Sequence, residues 1–319
     1  MTIGYVGIDV SKKTLDVAII KDPCKKPFYK VVENTATGFQ VLLSYLQSLA
    51  VDLHICLEST GIYGQPVACF MHQAGIKVSI VNPNLIKSFA SSEGMRAKTD
   101  KVDAAVIARF CRVREPQAWN PPSESHQKLQ ALNRCLDILI EDKTRLLGRI
   151  EGTIRPEAAQ VWKDLLLEIE EKIKSINQKI KDLFNNDEAL RNNLDLLESI
   201  PGIGERTATT YLAELPDIGQ FKNAKEIVAF IGLAPKIKQS GSSVRGRGRI
   251  CKMGNRNLRK ALYMPALSAK RHNPTIKAFC DNLSQKGKNK KVIVVAAMRK
   301  LLHIIFGVLK NGKEFTAAT

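Results

Sequence analysis

The sequence lacks the cysteine pattern of a zinc site or of a disulfide-stapled domain. It contains seven cysteines, and no two of them form a CxxC pair. Structural zinc sites and small disulfide scaffolds use cysteines in pairs at short spacings. We therefore expect a reduced cytosolic protein with small buried thiols. A signal peptide is not expected either, because Asp9 interrupts the first apolar run and no small-residue cleavage site follows it.

A long uncharged apolar run is also missing. The most apolar segment, "VIVVAAMRKLLHIIFGVL" (residues 292–309), carries Arg299 and Lys300 near its middle. A charge at the centre of a bilayer costs roughly 2.5–3.5 kcal/mol. The sequence therefore predicts a buried helix of a soluble protein and no membrane partner.

Acidic residues are scarce in the last third of the chain. Residues 198–319 contain 23 Lys and Arg against 7 Asp and Glu, while residues 1–122 contain 14 against 10 and residues 123–197 contain 12 against 14. Nearly all of the formal net charge of +18 thus lies in the last segment. Charge segregated in this way attracts a polyanion, and nucleic acid is the first candidate. The alternative is a basic surface that only keeps the protein soluble.

The apolar pattern divides the chain into three segments. Strand-like and helical stretches alternate over residues 1–122, with Thr37 as the expected cap of the first helix, and predict an α/β domain with a mixed sheet. Apolar residues at coiled-coil spacing over residues 123–190 predict an antiparallel helical hairpin, used for packing or dimerisation. Residues 191–319 are basic and predict a mostly α-helical domain.

Four carboxylates stand out in the first domain. Asp9 lies in the strand-like run "VGIDVSKKTLDVAI", on the same face as Gly7. Glu58 ends the strand-like run "HICLE". Asp100 and Asp103 are three residues apart, which places both carboxylates on one face of a helix. Taken singly, each acid is more simply a turn, strand-edge or helix-start residue.

Taken together, the four acids fit a pair of divalent metal ions. Hard oxygen ligands select Mg²⁺ or Mn²⁺. Two such ions can activate one oxygen and stabilise the leaving oxygen in phosphoryl transfer. The sequence therefore predicts Asp9, Glu58, Asp100 and Asp103 as the metal ligands and catalytic acids of one site.

The stretch "IPGIGERTATTYLAEL" (residues 200–215) has the glycine spacing of a helix-hairpin-helix motif. Gly202 and Gly204 allow a tight turn, whose backbone amides open onto a helix N-terminus that can bind phosphate. An ordinary pair of antiparallel helices is the alternative.

The stretch "GSSVRGRGRICKMGN" (residues 241–255) is rich in glycine and arginine, and we expect a flexible loop. Ser240 precedes Gly241, and Ser242 and Ser243 are close by. On residue type alone, a run of serines and glycines of this kind is a linker. A serine hydroxyl is also a weak nucleophile until its alkoxide is stabilised. Basic side chains in and after the loop could provide that stabilisation and bind nucleic acid: Arg245, Arg247, Arg249, Lys252, Arg256 and Arg259.

The segments "GIDVSKKTLDVAI", "LESTG" and "KTDKVDAAVIA" resemble the DEDD family of bacterial insertion-sequence transposases. The family's four acids match Asp9, Glu58, Asp100 and Asp103 one by one. The similarity continues through "FIGLAPKIKQSGSSVRGRGRICKMGNRNLRKAL", so that it covers nearly the whole chain. It implies an RNase H-like first domain, close to the RuvC-type Holliday-junction resolvases. It also implies that Ser240 is a nucleophile that forms a covalent phosphoserine link to DNA, with Ser242 and Ser243 as neighbouring candidates.

The resemblance further implies a recombinase that excises and inserts a mobile element in the bacterial cytoplasm, on the nucleoid. Its active site would combine the serine of one protomer with the acids of another, in a homodimer or homotetramer. A noncoding bridge RNA would pair with donor and target DNA while the protein reads backbone shape. The residues alone leave two alternatives open: a resolvase-like nuclease that uses water, and a nucleic-acid-binding protein without catalysis.

Overall fold

A computed structural model describes most of the chain as two compact units, Met1–Pro121 and Pro122–Thr319. The described residues are 3–22, 26–59, 63–95, 99–215, 217–236, 239–240, 244–245 and 248–317. None of the six cysteines in these ranges takes part in a disulfide.

A five-stranded sheet forms the centre of the first unit. Its strands are β1 Ile3–Val10, β2 Thr14–Ile20, β3 Phe28–Glu33, β4 Asp52–Glu58 and β5 Lys77–Val81. The spatial order is β3-β2-β1-β4-β5, in which β1, β2 and β3 are antiparallel neighbours and β4 and β5 run parallel to β1. This is the mixed sheet that the sequence predicts.

Helices cover both faces of this sheet. They are α1 Ala36–Gln47, α2 Gln65–Gln73, α3 Pro83–Ser92 and α4 Asp100–Arg114. Because side chains alternate along a strand, Val6 and Ile8 pack with α1 and α2 on one face. Cys56 and Val81 pack with α3 and α4 on the opposite face, which we call the α4 face.

The second unit is mostly helical. Its helices are α5 Glu124–Gly152, α6 Pro156–Asn186, α7 Glu188–Glu198, α8 Glu205–Glu214, α9 Ala224–Ile231, α10 Arg256–Ala261, α11 Tyr263–His272, α12 Pro274–Gln285 and α13 Lys290–Asn311. Helices α5 and α6 form the predicted antiparallel hairpin, since Leu129 near the start of α5 shares a core with Phe184 near the end of α6.

Helix α13 is a long apolar helix of the second unit. In the described part of the chain it is the one helix long and apolar enough to cross a membrane by length and composition. Leu301, Leu302 and Ile305 on this helix are fully buried in the core of the unit. One side of α13 is therefore packed within the protein.

The region predicted as a flexible loop forms paired strands instead. Strands β6 Pro235–Lys236 and β9 Arg249–Ile250 pair with each other, and so do β7 Gln239–Ser240 and β8 Val244–Arg245. Both pairs are antiparallel, and we call these four short strands together the serine ribbon. The described parts of the predicted loop thus include paired strands, which its glycine content does not indicate.

Candidate active site

Gly7 allows α4 to lie directly on β1. A Cβ atom added at Gly7 would fall 2.2 Å from the carbonyl oxygen of Ala104 and 2.2 Å from the backbone nitrogen of Ala108. Both alanines are fully buried. The absence of a side chain on Gly7 and the small side chains of α4 therefore let a helix backbone approach a strand backbone without intervening atoms.

This contact determines how far along the strand direction Asp9 and the first acid of α4 lie. Asp9 follows Gly7 by two residues on the same face, which is about 6.6 Å along a strand. Asp100 precedes Ala104 by four residues, which is about 6 Å along a helix. The charges of Asp100 and Asp103 act on Asp9, so the first turn of α4 lies at the end of β1 that carries Asp9.

Glu58 reaches the same edge of the sheet from the neighbouring strand. Strand β4 runs parallel to β1 in a register that pairs Ile8 with Leu57. Asp9 and Glu58 are the next residue of each strand, and both belong to the α4 face because side chains alternate. We call Asp9, Glu58, Asp100 and Asp103 together the acidic site.

The electrostatic environment of Asp9 reflects its acidic neighbours. Its pKa is raised to about 6, first by burial and then by the negative charges of Asp103, Asp100 and Asp16, while a hydrogen bond with the backbone of Val10 acts in the opposite direction. Negative charges that raise the pKa of Asp9 oppose its ionisation, and a nearby cation favours it.

The donor chemistry of the acidic site fits a hard divalent cation. No three His, Cys, Asp or Glu side chains within the described ranges lie close enough together to hold a metal ion by themselves. Mg²⁺ does not need such a cage, because it is held by one or two carboxylates together with waters and substrate phosphates. The carboxylates of the acidic site, at the ends of β1 and β4 and on the first turn of α4, are oxygen donors of this kind.

Asp16 is an acid close to the site that the sequence reasoning missed. It lies directly opposite Asp9 in the antiparallel register of β1 and β2, and it is only 7% exposed. A signal was available: a hairpin turn at Lys12-Lys13 places Asp9 and Asp16 at equal distances from the turn, and therefore side by side.

Asp16 is held by Tyr29 of β3. The Tyr29 hydroxyl donates a hydrogen bond to Oδ1 of Asp16. This hydrogen bond is the largest cause that raises the pKa of Tyr29 to about 12, followed by burial. The Nζ atom of Lys101, on the first turn of α4, lies 5.0 Å from the centroid of the Tyr29 ring.

Ser240 lies on strand β7 of the serine ribbon. It pairs with Val244 on β8, and Gln239 pairs with Arg245. Ser240 is thus the last described residue of β7. Gly241, Ser242 and Ser243, which follow it in the sequence, lie outside the described residues, as does Arg247.

The predicted basic residues at and after the base of the ribbon differ in their roles. Arg249 pairs with Lys236 in the ribbon. Lys252 adopts a left-handed backbone conformation with φ of 58°, and its backbone N–H donates to the carbonyl of Gly232 over 2.9 Å. Such a conformation is uncommon for a residue with a side chain and marks a constrained position.

The two predicted arginines of α10 differ in whether the side chain contacts the rest of the fold. Arg256 is exposed. The Nη1 atom of Arg259 donates a hydrogen bond of 2.6 Å to the carbonyl oxygen of Ile231. Arg259 is therefore partly engaged in the fold, whereas Arg256 is exposed to solvent.

Helices α7 and α8 are joined by the predicted glycine turn. Gly202 has φ of +104°, and a Cβ atom there would lie 2.6 Å from the backbone nitrogen of Ala269. Gly202 is therefore required by both its conformation and its packing against α11. Gly204 is the N-cap residue of α8, and no side chain caps that helix end.

Comparison with known proteins identifies the family of the chain. Residues 6–155 match the model of a DEDD transposase family, described as transposase, and residues 194–281 match the model of the transposase IS116/IS110/IS902 family. The chain is 34% identical over 326 residues to a pilin gene-inverting protein of Moraxella bovis, covering 99% of this chain and 98% of that protein. It is 26% identical over 349 residues to the transposase for insertion sequence element IS1111A of Coxiella burnetii, covering 98% and 91%.

The mixed sheet and the family match together define the class of the first unit as RNase H-like. The chain belongs to the family of DEDD-type insertion-sequence transposases.

Proposed function

We propose that this protein is a DNA transposase, a recombinase that cleaves and rejoins DNA to excise and insert a mobile element. The observation that carries the proposal is the meeting of Asp9, Glu58 and the first turn of α4 at one edge of the sheet. The names of its relatives, transposases and gene-inverting proteins, support the same activity.

In this proposal the acidic site holds a pair of Mg²⁺ or Mn²⁺ ions. Such ions supply charge stabilisation for the oxygens of a phosphodiester under attack. Asp9 and Glu58 act as ligands fixed on the rigid sheet, while Asp100 and Asp103 approach from the helix. The raised pKa of Asp9 supports this role, because a neighbouring positive charge would stabilise the ionised carboxylate that burial and the nearby acids disfavour.

Ser240 is the proposed nucleophile. Its Oγ atom loses a proton and forms a bond to the DNA phosphorus, while the bond from phosphorus to the 3′ oxygen breaks and the 3′ hydroxyl leaves with a proton. The pairing of Ser240 with Val244 supports this role, because it holds the backbone of the serine in a strand next to the basic Arg245. Ser242 and Ser243, which follow Ser240 closely in the sequence, are alternative nucleophiles.

The basic second unit is proposed to bind nucleic acid. Its contacts are assigned to Gly202, Gly204, Arg245, Arg247, Arg249, Lys252, Arg256 and Arg259. Residues 198–319 contain 23 basic and only 7 acidic residues, and this positive charge supports the assignment.

The proposed partners are donor and target DNA and a noncoding bridge RNA that selects both. We further propose a homodimer or homotetramer in which Ser240 of one protomer acts with the acidic site of another. The helical hairpin of α5 and α6 would join the protomers. The protein would act in the cytoplasm, on the nucleoid.

The decisive experiment traps the covalent intermediate. The purified protein is incubated with Mg²⁺, DNA carrying the element's ends and the RNA that copurifies with it, and is then denatured and separated on a gel. The expected result is a protein–DNA adduct that disappears in Ser240→Ala and persists in the matched variants Ser242→Ala and Ser243→Ala.

Each alternative gives a different outcome. Cleavage at the normal rate by Ser240→Ala without any adduct identifies a nuclease that uses water. A binding protein without catalysis would bind DNA independently of Mg²⁺, and Asp9→Asn would leave every activity of the wild type, which is then binding alone, intact.

A further inference from the structure

The pairing of β1 with β2 places two carboxylates directly opposite each other. Asp9 and Asp16 are Cα partners in this ladder. Directly opposite side chains on one face of a sheet have Cβ atoms about 4.5–5.5 Å apart, and like charges there are destabilising. A pair that is unfavourable for the fold alone therefore requires another explanation.

An apolar residue would suit the position of Asp16 better on packing grounds. Ala18 and Ile20, the next residues of β2 on the same face, are both buried and apolar. Burial of a carboxylate costs free energy unless the charge is hydrogen-bonded or paired. Asp16 is nevertheless 93% buried.

Tyr29 supplies the hydrogen bond that makes this burial tolerable. Asp16 is paired with Val31, so Tyr29 stands diagonally to Asp16 across β2 and β3. A diagonal neighbour lies within reach of an aromatic side chain. The Tyr29 hydroxyl donates to Oδ1 of Asp16, and a charge-assisted hydrogen bond of this kind fixes the orientation of the carboxylate.

The same tyrosine connects Asp16 to α4. The Nζ atom of Lys101 lies 5.0 Å from the centroid of the Tyr29 ring, a distance at which a cation is attracted to an aromatic face. Lys101 lies on the first turn of α4, between Asp100 and Asp103. Strands β2 and β3 and the start of the helix thus meet around a single buried carboxylate.

We propose that Asp16 is a positioning residue for the acidic site, held by Tyr29 and acting through Asp9. This inference rests on the proposed function. A fixed negative charge opposite Asp9 strengthens the attraction of the acidic site for a divalent cation. It also keeps the Asp9 carboxylate from turning back along the sheet toward β2.

Outer residues that orient and charge the ligands of a metal commonly contribute about 10–100-fold to its affinity. The test therefore measures binding of Mn²⁺ to the full-length protein both alone and together with DNA that carries the element's ends, by calorimetry or by the electron paramagnetic resonance of free Mn²⁺. Binding to the same DNA without protein is subtracted. Asp16→Asn keeps the size of the side chain and an oxygen that accepts from Tyr29, but removes the charge. We expect its dissociation constant for Mn²⁺ to rise about tenfold.

Two further variants isolate the cause. Tyr29→Phe keeps the ring under Lys101 but removes the hydrogen bond, and a smaller loss of Mn²⁺ affinity is expected. Asp52→Asn makes the same charge change on an exposed carboxylate at the opposite end of β4, and its Mn²⁺ affinity should equal that of the wild type.

Cleavage kinetics provide a second measurement. In Asp16→Asn the Mg²⁺ concentration that gives half of the maximal cleavage rate should rise, while the rate at saturating Mg²⁺ stays close to that of the wild type. A loss of folding alone would lower the maximal rate and leave the half-saturating concentration unchanged.

The outcomes separate this inference from the proposed function. Wild-type protein that binds neither Mn²⁺ nor Mg²⁺ overturns the metal site and the inference with it. Wild-type protein that binds Mn²⁺, together with Asp16→Asn of equal affinity, overturns the role of Asp16 alone. If Asp16→Asn does not fold, Tyr29→Phe decides, and unchanged Mn²⁺ affinity in that variant rejects the proposal.

Discussion

The backbone of Gly7 is in direct contact with the backbone of Ala104, which holds α4 against β1. Replacing Gly7 by Ala would place a Cβ atom only 2.2 Å from the nearest backbone atoms of α4. Overpacking of this kind costs about 1–3 kcal/mol, and the helix start should move away from Asp9. We expect Gly7→Ala to lower the midpoint of urea denaturation and to reduce cleavage activity.

Gly148→Ala is the matched control for that substitution. Gly148 is a helical glycine of α5, and an added Cβ atom there meets nothing within 4 Å. Alanine should stabilise the helix by about 0.5–1 kcal/mol. Equal denaturation midpoints for both variants would contradict the close approach of α4 to β1.

The raised pKa of Asp9 predicts a dependence of stability on pH. Its pKa is about 6 in the folded protein against an ordinary value of 3.8. Between pH 4 and 6 the folded state therefore binds the proton more tightly than the unfolded state does. Stability without divalent ions should therefore fall as pH rises through this window. Because Asp9 is only partly buried, solvent screening reduces the effect to about 1 kcal/mol.

Urea denaturation at pH 4.5 and pH 7 measures this effect. Asp9→Asn removes the titrating group, so the decrease between the two pH values should become smaller in that variant. Added Mg²⁺ should restore the stability of the wild type at pH 7 and not that of Asp9→Asn. An identical pH dependence in both proteins would exclude Asp9 as the source.

Arg256 and Arg259 should respond differently to truncation. Loss of an exposed phosphate contact lowers the slope of log affinity against log salt concentration by about 1. Arg256→Ala should show that change with unaltered stability. Arg259→Ala should also lower stability, because the Ile231 carbonyl loses a donor at 2.6 Å. Binding titrations at several salt concentrations, combined with thermal melting, distinguish the two variants. If Arg256→Ala has the same salt slope as the wild type, Arg256 does not contact a phosphate.

Arg206 is predicted to stabilise the contact between α8 and α5. It donates to Oδ1 of the fully buried Asn133 over 2.7 Å and pairs with Asp137. Arg206→Ala leaves buried polar groups with fewer partners, at a cost of about 1–3 kcal/mol. Arg145→Ala, which removes exposed ion pairs on α5, should change the free energy of unfolding by less than about 0.5 kcal/mol. Similar losses in the two variants would refute the distinction.

The order of elements in the first unit and the positions of its acids follow well from local sequence. Period-two alternation identifies β1 and β4, and helical spacing places Asp100 and Asp103 on one turn. The cap of α1 was misplaced: Thr35, not Thr37, accepts the hydrogen bond from the backbone nitrogen of Gly38. Both threonines suit a helix cap, and only the backbone conformation decides between them.

Asp16 and the serine ribbon show what local patterns leave out. The importance of Asp16 depends on which residue stands opposite it, and register is a property of two strands together. The serine ribbon consists of two-residue strands, which are too short for an alternation to be recognised. In both places the structure follows from pairing between distant residues, which composition does not report.

The backbone contact at Gly7 also restricts the length of β1. A strand reverses its faces at every residue, so inserting one residue between Gly7 and Asp9 would turn the carboxylate toward α1 and α2. Inserting two residues would restore the face but carry the carboxylate about 6.6 Å beyond the start of α4. The spacing of Gly7 and Asp9 is therefore as necessary to the acidic site as the carboxylate itself, and insertions in this segment should be tolerated far less than substitutions at its exposed positions.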